Sequence, residues 1–184
     1  MKNKKRNSTP GAGALLGSAL LLSLLLLSIN LLNQLMRRKK MTTISKIGYD
    51  LYDLLTEAGF KDDYARFIVA QAAHESANFT SNVFKQNNNP FGIKYFGQKE
   101  AQGENIGYAI YEYLGKAVQD YKRIFKSFGP VSLTSLKSFV NVLKIHNYFE
   151  APEADYFKGC EWFYNLYFPE GWTKQKIAGA GGSF

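Results

Sequence analysis

The stretch "AQAAHESANF", residues 70–79, sets an ionisable carboxyl at the end of an apolar run. Phe67, Ile68, Val69, Ala70, Ala72 and Ala73 precede Glu75, which has His74 on one side and Ser76 on the other. A carboxyl among apolar neighbours loses water, and desolvation disfavours its charged form. A raised pKa keeps it protonated near neutral pH, which suits a general acid that hands a proton to a departing oxygen. A glutamate that caps or pairs at a helix end is the plainer reading of the same residues, since structural partners perturb acids too.

The other reactive side chains offer less. His74-Glu75 invites zinc, but the H-E-x-x-H arrangement needs a second histidine three residues after the glutamate. Asn78 stands there, and the only other histidine is His146. No metal and no other cofactor is expected. Cys160 is the single cysteine. It cannot form an internal disulfide, has no local nucleophile motif with His74 or His146, and reads as a free buried thiol.

The elements around Glu75 follow from periodicity. Ile44, Ile47, Leu51, Leu54 and Leu55 recur at helical spacing, and Gly59 stops that helix. A second helix opens at Asp62 and Asp63, whose charges suit a helix N-terminus, and carries the apolar run to Glu75. Residues 78–90, rich in Asn and Ser and ending in Pro, read as loop. "FGIKYF" and "YAIYEY" read as two strands of a small antiparallel hairpin joined by a Gly-containing connection. Helical spacing returns from Gly115 and again after Ser132, a plausible N-cap, and a last helix is expected over 155–167. The expected fold is mainly α, a helical domain over 44–170 with a small β-hairpin lobe and a cleft between them.

The first 40 residues differ in kind. They hold eight Lys and Arg, no acid and no aromatic, so the formal charge of +8 belongs to them and residues 41–184 are neutral overall. That removes the usual electrostatic ground for a nucleic-acid partner. From Ala14 to Leu32 no residue is charged and most are leucine. A bilayer core takes about 20 apolar residues as a helix. The expected layout is a basic tail (1–10), a transmembrane helix (11–36) in contact with lipid, a basic juxtamembrane linker (37–43), the domain, and a flexible tail (171–184). The flanking basic residues tie, so orientation stays open.

The longer stretch "AQAAHESANFTSNVFKQNNNPFGIKYFG" resembles the glucosaminidase-type peptidoglycan hydrolases of the lysozyme-like superfamily. The matching residues are Ala72, Ala73, Glu75 and Ser76, then Asn88, Asn89, Phe91, Gly92, Ile93 and Lys94. Tyr111, Ala117, Asp120 and Tyr121 match the next segment, and Tyr148 and Tyr156 match the family's paired tyrosines. His74 departs from the pattern, where the family has an aliphatic residue.

The resemblance implies a lysozyme-like fold, a peptidoglycan substrate, Glu75 as general acid, and Tyr148 in the cleft near the cleaved bond. Asn88, Asn89, Phe91, Lys94 and Tyr156 are the expected substrate-binding positions, although asparagine runs also simply build turns. The second carboxylate is open among Glu100, Glu104 and Glu112, with Glu104 on the Gly-rich turn preferred. Hydrolysis, transglycosylation to an anhydro end, and a catalytically silent wall-binding protein all remain compatible with these residues. The reading serves a bacterium remodelling its wall and a virus breaching one equally well.

Overall fold

The first helix, α1 (Ala12–Glu57), runs through the boundary between two compact units, Met1–Thr43 and Ile44–Phe184. The structure is a computed structural model that describes the backbone of residues 12–173 and the side chains of 25–35 and 46–173. In the first unit Leu25, Leu26, Leu27, Ile29, Leu31, Leu32 and Leu35 are all exposed. Among the described residues no helix is long and apolar enough to cross a membrane, so the expected span over 11–36 is not supported. The side chains described there cover about 16 Å of helix at roughly 1.5 Å per residue, against a bilayer core of about 30 Å. Residues 1–10 and most of 171–184 lie outside the described residues. Residues 37–43, expected as a linker, have helical backbone.

In the second unit α1 presents Leu51, Tyr52 and Leu55 to the core. It ends where expected. Gly59 takes φ +93°, and the amides of Gly59 and Phe60 close back on the carbonyls of Thr56 and Leu55. That nested pair of bonds needs a left-handed residue, which glycine adopts without strain. Helix α2 (Asp62–Glu75) is buried at Ala65 and at every position from Phe67 to Ala73. A helix covered on all sides is the centre of its domain. It packs against α6 (Glu153–Tyr167). The approach is close, because Gly159 on α6 faces the His74 ring and a Cβ there would overlap it.

Three expectations on the way to the cleft are corrected. The loop expected over 78–90 contains a short helix, α3 (Asn82–Asn87), started by Ser81, whose side chain accepts the Phe84 amide, and anchored by buried Phe84. "FGIKYF" does not form the first strand. The hairpin is β1 (Gly103–Asn105) with β2 (Tyr108–Ile110), paired Gly103↔Ile110 and Asn105↔Tyr108. Ile106 and Gly107 make the turn at φ +57° and +79°, the two-residue geometry that matches strand twist. Lys94 contributes only an isolated bridge to Tyr108. The reason is Asn89, whose side chain accepts the Ile93 amide and donates to the Ala109 carbonyl, so those two backbone groups do not bond each other, although the Ile93 carbonyl still accepts the Ala109 amide.

The third correction concerns the N-cap of α5 (Leu136–Ile145), which follows α4 (Leu114–Ser127). The cap is Ser135, in a reciprocal box with Ser138, and not Ser132. Leu133 stays outside the helix because it is buried and its amide is held by the Tyr64 hydroxyl.

The His74–Gly159 contact yields a test. Gly159→Ala is expected to destabilise the domain by about 1–3 kcal/mol, the usual scale of overpacking. His74→Ala in the same chain should recover most of that loss. Urea denaturation of the single and double variants measures both.

Candidate active site

Glu75 is the last residue of α2, and the chain turns away at once. The Ser76 hydroxyl donates to the Ala72 carbonyl (2.6 Å) and accepts the Phe79 amide (2.9 Å). Ala77, Asn78 and Phe79 all take left-handed φ, 49°, 57° and 59°. Non-glycine residues resist that region by roughly 1–2 kcal/mol each. The Ser76 bonds, a hydrogen bond from the Tyr167 hydroxyl to Asn78 Oδ1 (2.7 Å) and burial of Phe79 offset the cost. Glu75 is left lining a cleft of about 710 Å³.

One carboxyl oxygen of Glu75, Oε1, accepts the Tyr156 hydroxyl at 2.5 Å. The other lies beside the backbone of Gly92, which turns at φ +64°. Burial raises the Glu75 pKa above its ordinary 4.5, and the Tyr156 bond offsets part of that rise. The C-terminal end of a helix also disfavours a negative charge. Tyr156 is buried, and burial together with the Glu75 charge pushes its phenol far up, so it stays a donor. Phe149 stacks on its ring at 3.6 Å and His74 meets it edge-on at 4.8 Å.

His74, the departure from the family pattern, faces α6. Burial lowers its pKa, which favours the neutral ring. A neutral neighbour leaves the carboxyl of Glu75 free to hold its proton.

The cleft has three sides. The hairpin side supplies Lys94, Phe96 and Tyr108, α4 and its C-cap supply Arg123, Ile124 and Phe128, and the segment after α5 supplies His146 to Glu150. Phe96 is 84% exposed, a flat apolar face open to a sugar ring. Phe128 and His146 stack on each other at 4.3 Å.

The expected site residues divide accordingly. Glu75, Asn89, Phe91, Lys94 and Tyr148 line the cleft, and Tyr156 reaches it through Glu75. The Tyr148 hydroxyl donates to the Phe91 carbonyl (2.9 Å), and burial and the Glu75 charge push its phenol up. Asn89 is buried, and its side chain is engaged by the backbone of Ile93 and Ala109. Asn88 is outside the cleft lining. It takes φ +49° after α3 and donates to the carbonyls of Tyr111 and Glu112. Both asparagines build turns.

Glu104 is also outside the lining, where Oε1 accepts the Gly107 amide across the hairpin turn. Glu100 pairs with Lys116 (3.0 Å), and Glu112 is exposed away from the cleft. The second carboxylate in the lining is Glu150, which the sequence reading passed over. Its one signal was position, two residues after Tyr148. Cys160 is a buried free thiol, its pKa pushed far up by burial and by Glu75. Among the described residues no group of three His, Cys, Asp or Glu is placed to hold a metal ion.

A mainly helical body with a two-stranded lobe beside an acid-bearing cleft is the arrangement of a lysozyme-like glycosidase. The family model described as mannosyl-glycoprotein endo-beta-N-acetylglucosaminidase matches residues 56–167, and the chain belongs to this glucosaminidase family. It is accordingly a glycosidase acting on peptidoglycan. No curated protein and no solved structure matches the chain significantly.

Glu75→Gln separates burial from catalysis. A carboxyl whose folded pKa is raised contributes stability below its unfolded pKa and loses it as pH rises through the folded value. The variant should therefore match the wild type at low pH and become the more stable of the two as pH rises. Denaturation midpoints from about pH 3 to about pH 8 report the divergence.

Proposed function

We propose that the chain cuts the peptidoglycan glycan strand at a β-1,4 bond between GlcNAc and MurNAc, with Glu75 as the general acid. The observation supporting this is the state of the Glu75 carboxyl: raised in pKa, bonded through one oxygen to Tyr156, and lining the cleft. Protonated Glu75 donates to the glycosidic oxygen as the bond breaks. Its carboxylate then accepts a stronger, charge-assisted bond from Tyr156. An interaction that strengthens as charge develops lowers the barrier and not merely the ground state.

Tyr148 donates its proton to the Phe91 carbonyl, so its oxygen can accept from the sugar or face the positive charge of an oxocarbenium-like ring. Glu150 replaces Glu104 as the candidate base for an attacking water, because it is the second carboxylate lining the cleft.

The uncharged, leucine-rich run from Ala14 to Leu32 supports a membrane tether, with the domain facing the wall. Tethering raises the effective concentration of an enzyme at an insoluble substrate beside the membrane.

Zymography on purified peptidoglycan tests the acid. Glu75→Gln is expected to lose about 10²–10⁴-fold in activity, the range of general-acid catalysis. Equal clearing by both proteins would remove Glu75 from the role, and no clearing by either would favour a silent binding module. Mass spectrometry of the products identifies the bond: a reducing GlcNAc end, a reducing MurNAc end or an anhydro-MurNAc end. For the tether, alkaline carbonate extraction of membranes should leave the full chain in the pellet, and release to the supernatant would count against it.

A further inference from the structure

Asp120 on α4 holds a charge that the proposed acid chemistry leaves unused. It is fully buried. One oxygen accepts the Tyr111 hydroxyl at 2.6 Å, and Tyr111 is itself buried. The other oxygen takes two donors of Arg123, Nε at 2.9 Å and Nη2 at 2.7 Å. The Arg123 side chain is 62% exposed and lines the cleft beside Ile124 and Phe128.

Stability alone does not account for this arrangement. Burying a carboxylate is costly unless it is well paired, and an apolar residue of similar volume often serves the fold as well. An ion pair with an exposed partner contributes little. What the arrangement provides is a guanidinium fixed in direction on the cleft wall. Arginine has five N–H donors. Nη1 has no protein acceptor among the described residues, so donors remain for a ligand.

A guanidinium fork fits a carboxylate or another planar oxyanion best. A plain polymer of N-acetylated amino sugars carries no such group. A peptidoglycan strand does, on the peptide stems attached to its muramic acid residues. Lys94 adds a second cation to the same cleft; of the two carboxylates there, Glu75 is biased toward its neutral form and Glu150 is exposed.

We infer that Arg123 selects the substrate: it receives a stem-peptide carboxylate, so that a strand bearing stems is held in preference to bare polysaccharide. The inference rests on the proposed reading that this cleft binds the glycan strand. Asp120 and Tyr111 are positioning residues, which orient the guanidinium without touching substrate.

The test compares two synthetic glycan oligomers, identical except that the stem carboxylates are free in one and amidated in the other. For the wild type, KM is expected to be about 10- to 100-fold lower on the free acid, the scale of one charge-assisted hydrogen bond. Arg123→Gln should raise KM on the free acid by that factor and leave KM on the amidated oligomer where it was. A rise of equal size on both oligomers, or on neither, overturns the inference.

If Asp120, left with Tyr111 alone, unfolds that variant, Asp120→Asn/Arg123→Gln removes the buried charge with its partner and should lose the same selectivity. If the wild type turns over neither oligomer, the proposed activity has failed on its own. Calorimetric binding of both oligomers to wild type and variant then still decides the preference. Equal affinity of the wild type for the two forms overturns it.

Discussion

The hydrogen bond from Tyr156 to Glu75 joins α2 to α6 across the middle of the domain. A carboxyl at a buried helix end is unfavourable while charged, and the bond stabilises it without forcing it to ionise. Its neighbours hold the donor in place. Phe149 lies flat on the Tyr156 ring, His74 meets its edge, and Gly159 gives the imidazole room between the helices. The left-handed turn at Ala77, Asn78 and Phe79 completes the arrangement by ending α2 at the carboxyl. One more helical turn would continue the chain over the same ground.

The hairpin lobe depends on side chains more than on strands. Its two strands are three residues each, too short to stand alone in water. Asn87, Asn88 and Asn89 fasten them by donating to the carbonyls of Asn105, Tyr111 and Ala109. The asparagine run therefore acts at one remove. It sets where Lys94, Phe96 and Tyr108 stand in the cleft.

Charge is distributed in the cleft by the same logic. Glu75 is biased toward neutrality by burial, Glu150 is exposed, and Arg123 is exposed but steered by a buried carboxylate. Three ionisable groups thus meet one cavity in three different environments. A separation of that kind would let the proposed acid, base and binding cation coexist there.

Local signals determined most of the helices and the placement of the Glu75 carboxyl. The spacing of Leu51, Leu54 and Leu55, the stop at Gly59, the acidic start of α2 and the apolar run into Glu75 are short-range features, and each depends on neighbours within a turn or two. The family resemblance was legible for the same reason, since its matches are contiguous words.

The rest was decided in three dimensions. Ser135 and not Ser132 caps α5 because Leu133 is drawn into the core, and "FGIKYF" fails as a strand because the Asn89 side chain comes between the Ile93 amide and the Ala109 carbonyl. Glu104 was preferred for its place on the Gly-rich turn, yet it bonds that turn, while Glu150 reaches the cleft from a segment 75 residues beyond Glu75. Which carboxylates share a cavity depends on contacts between distant elements. Sequence alone determined that Glu75 would be desolvated, whereas only the packing of α6 against its helix and the return of distant segments to the cleft decided which tyrosine bonds it and which charges face it.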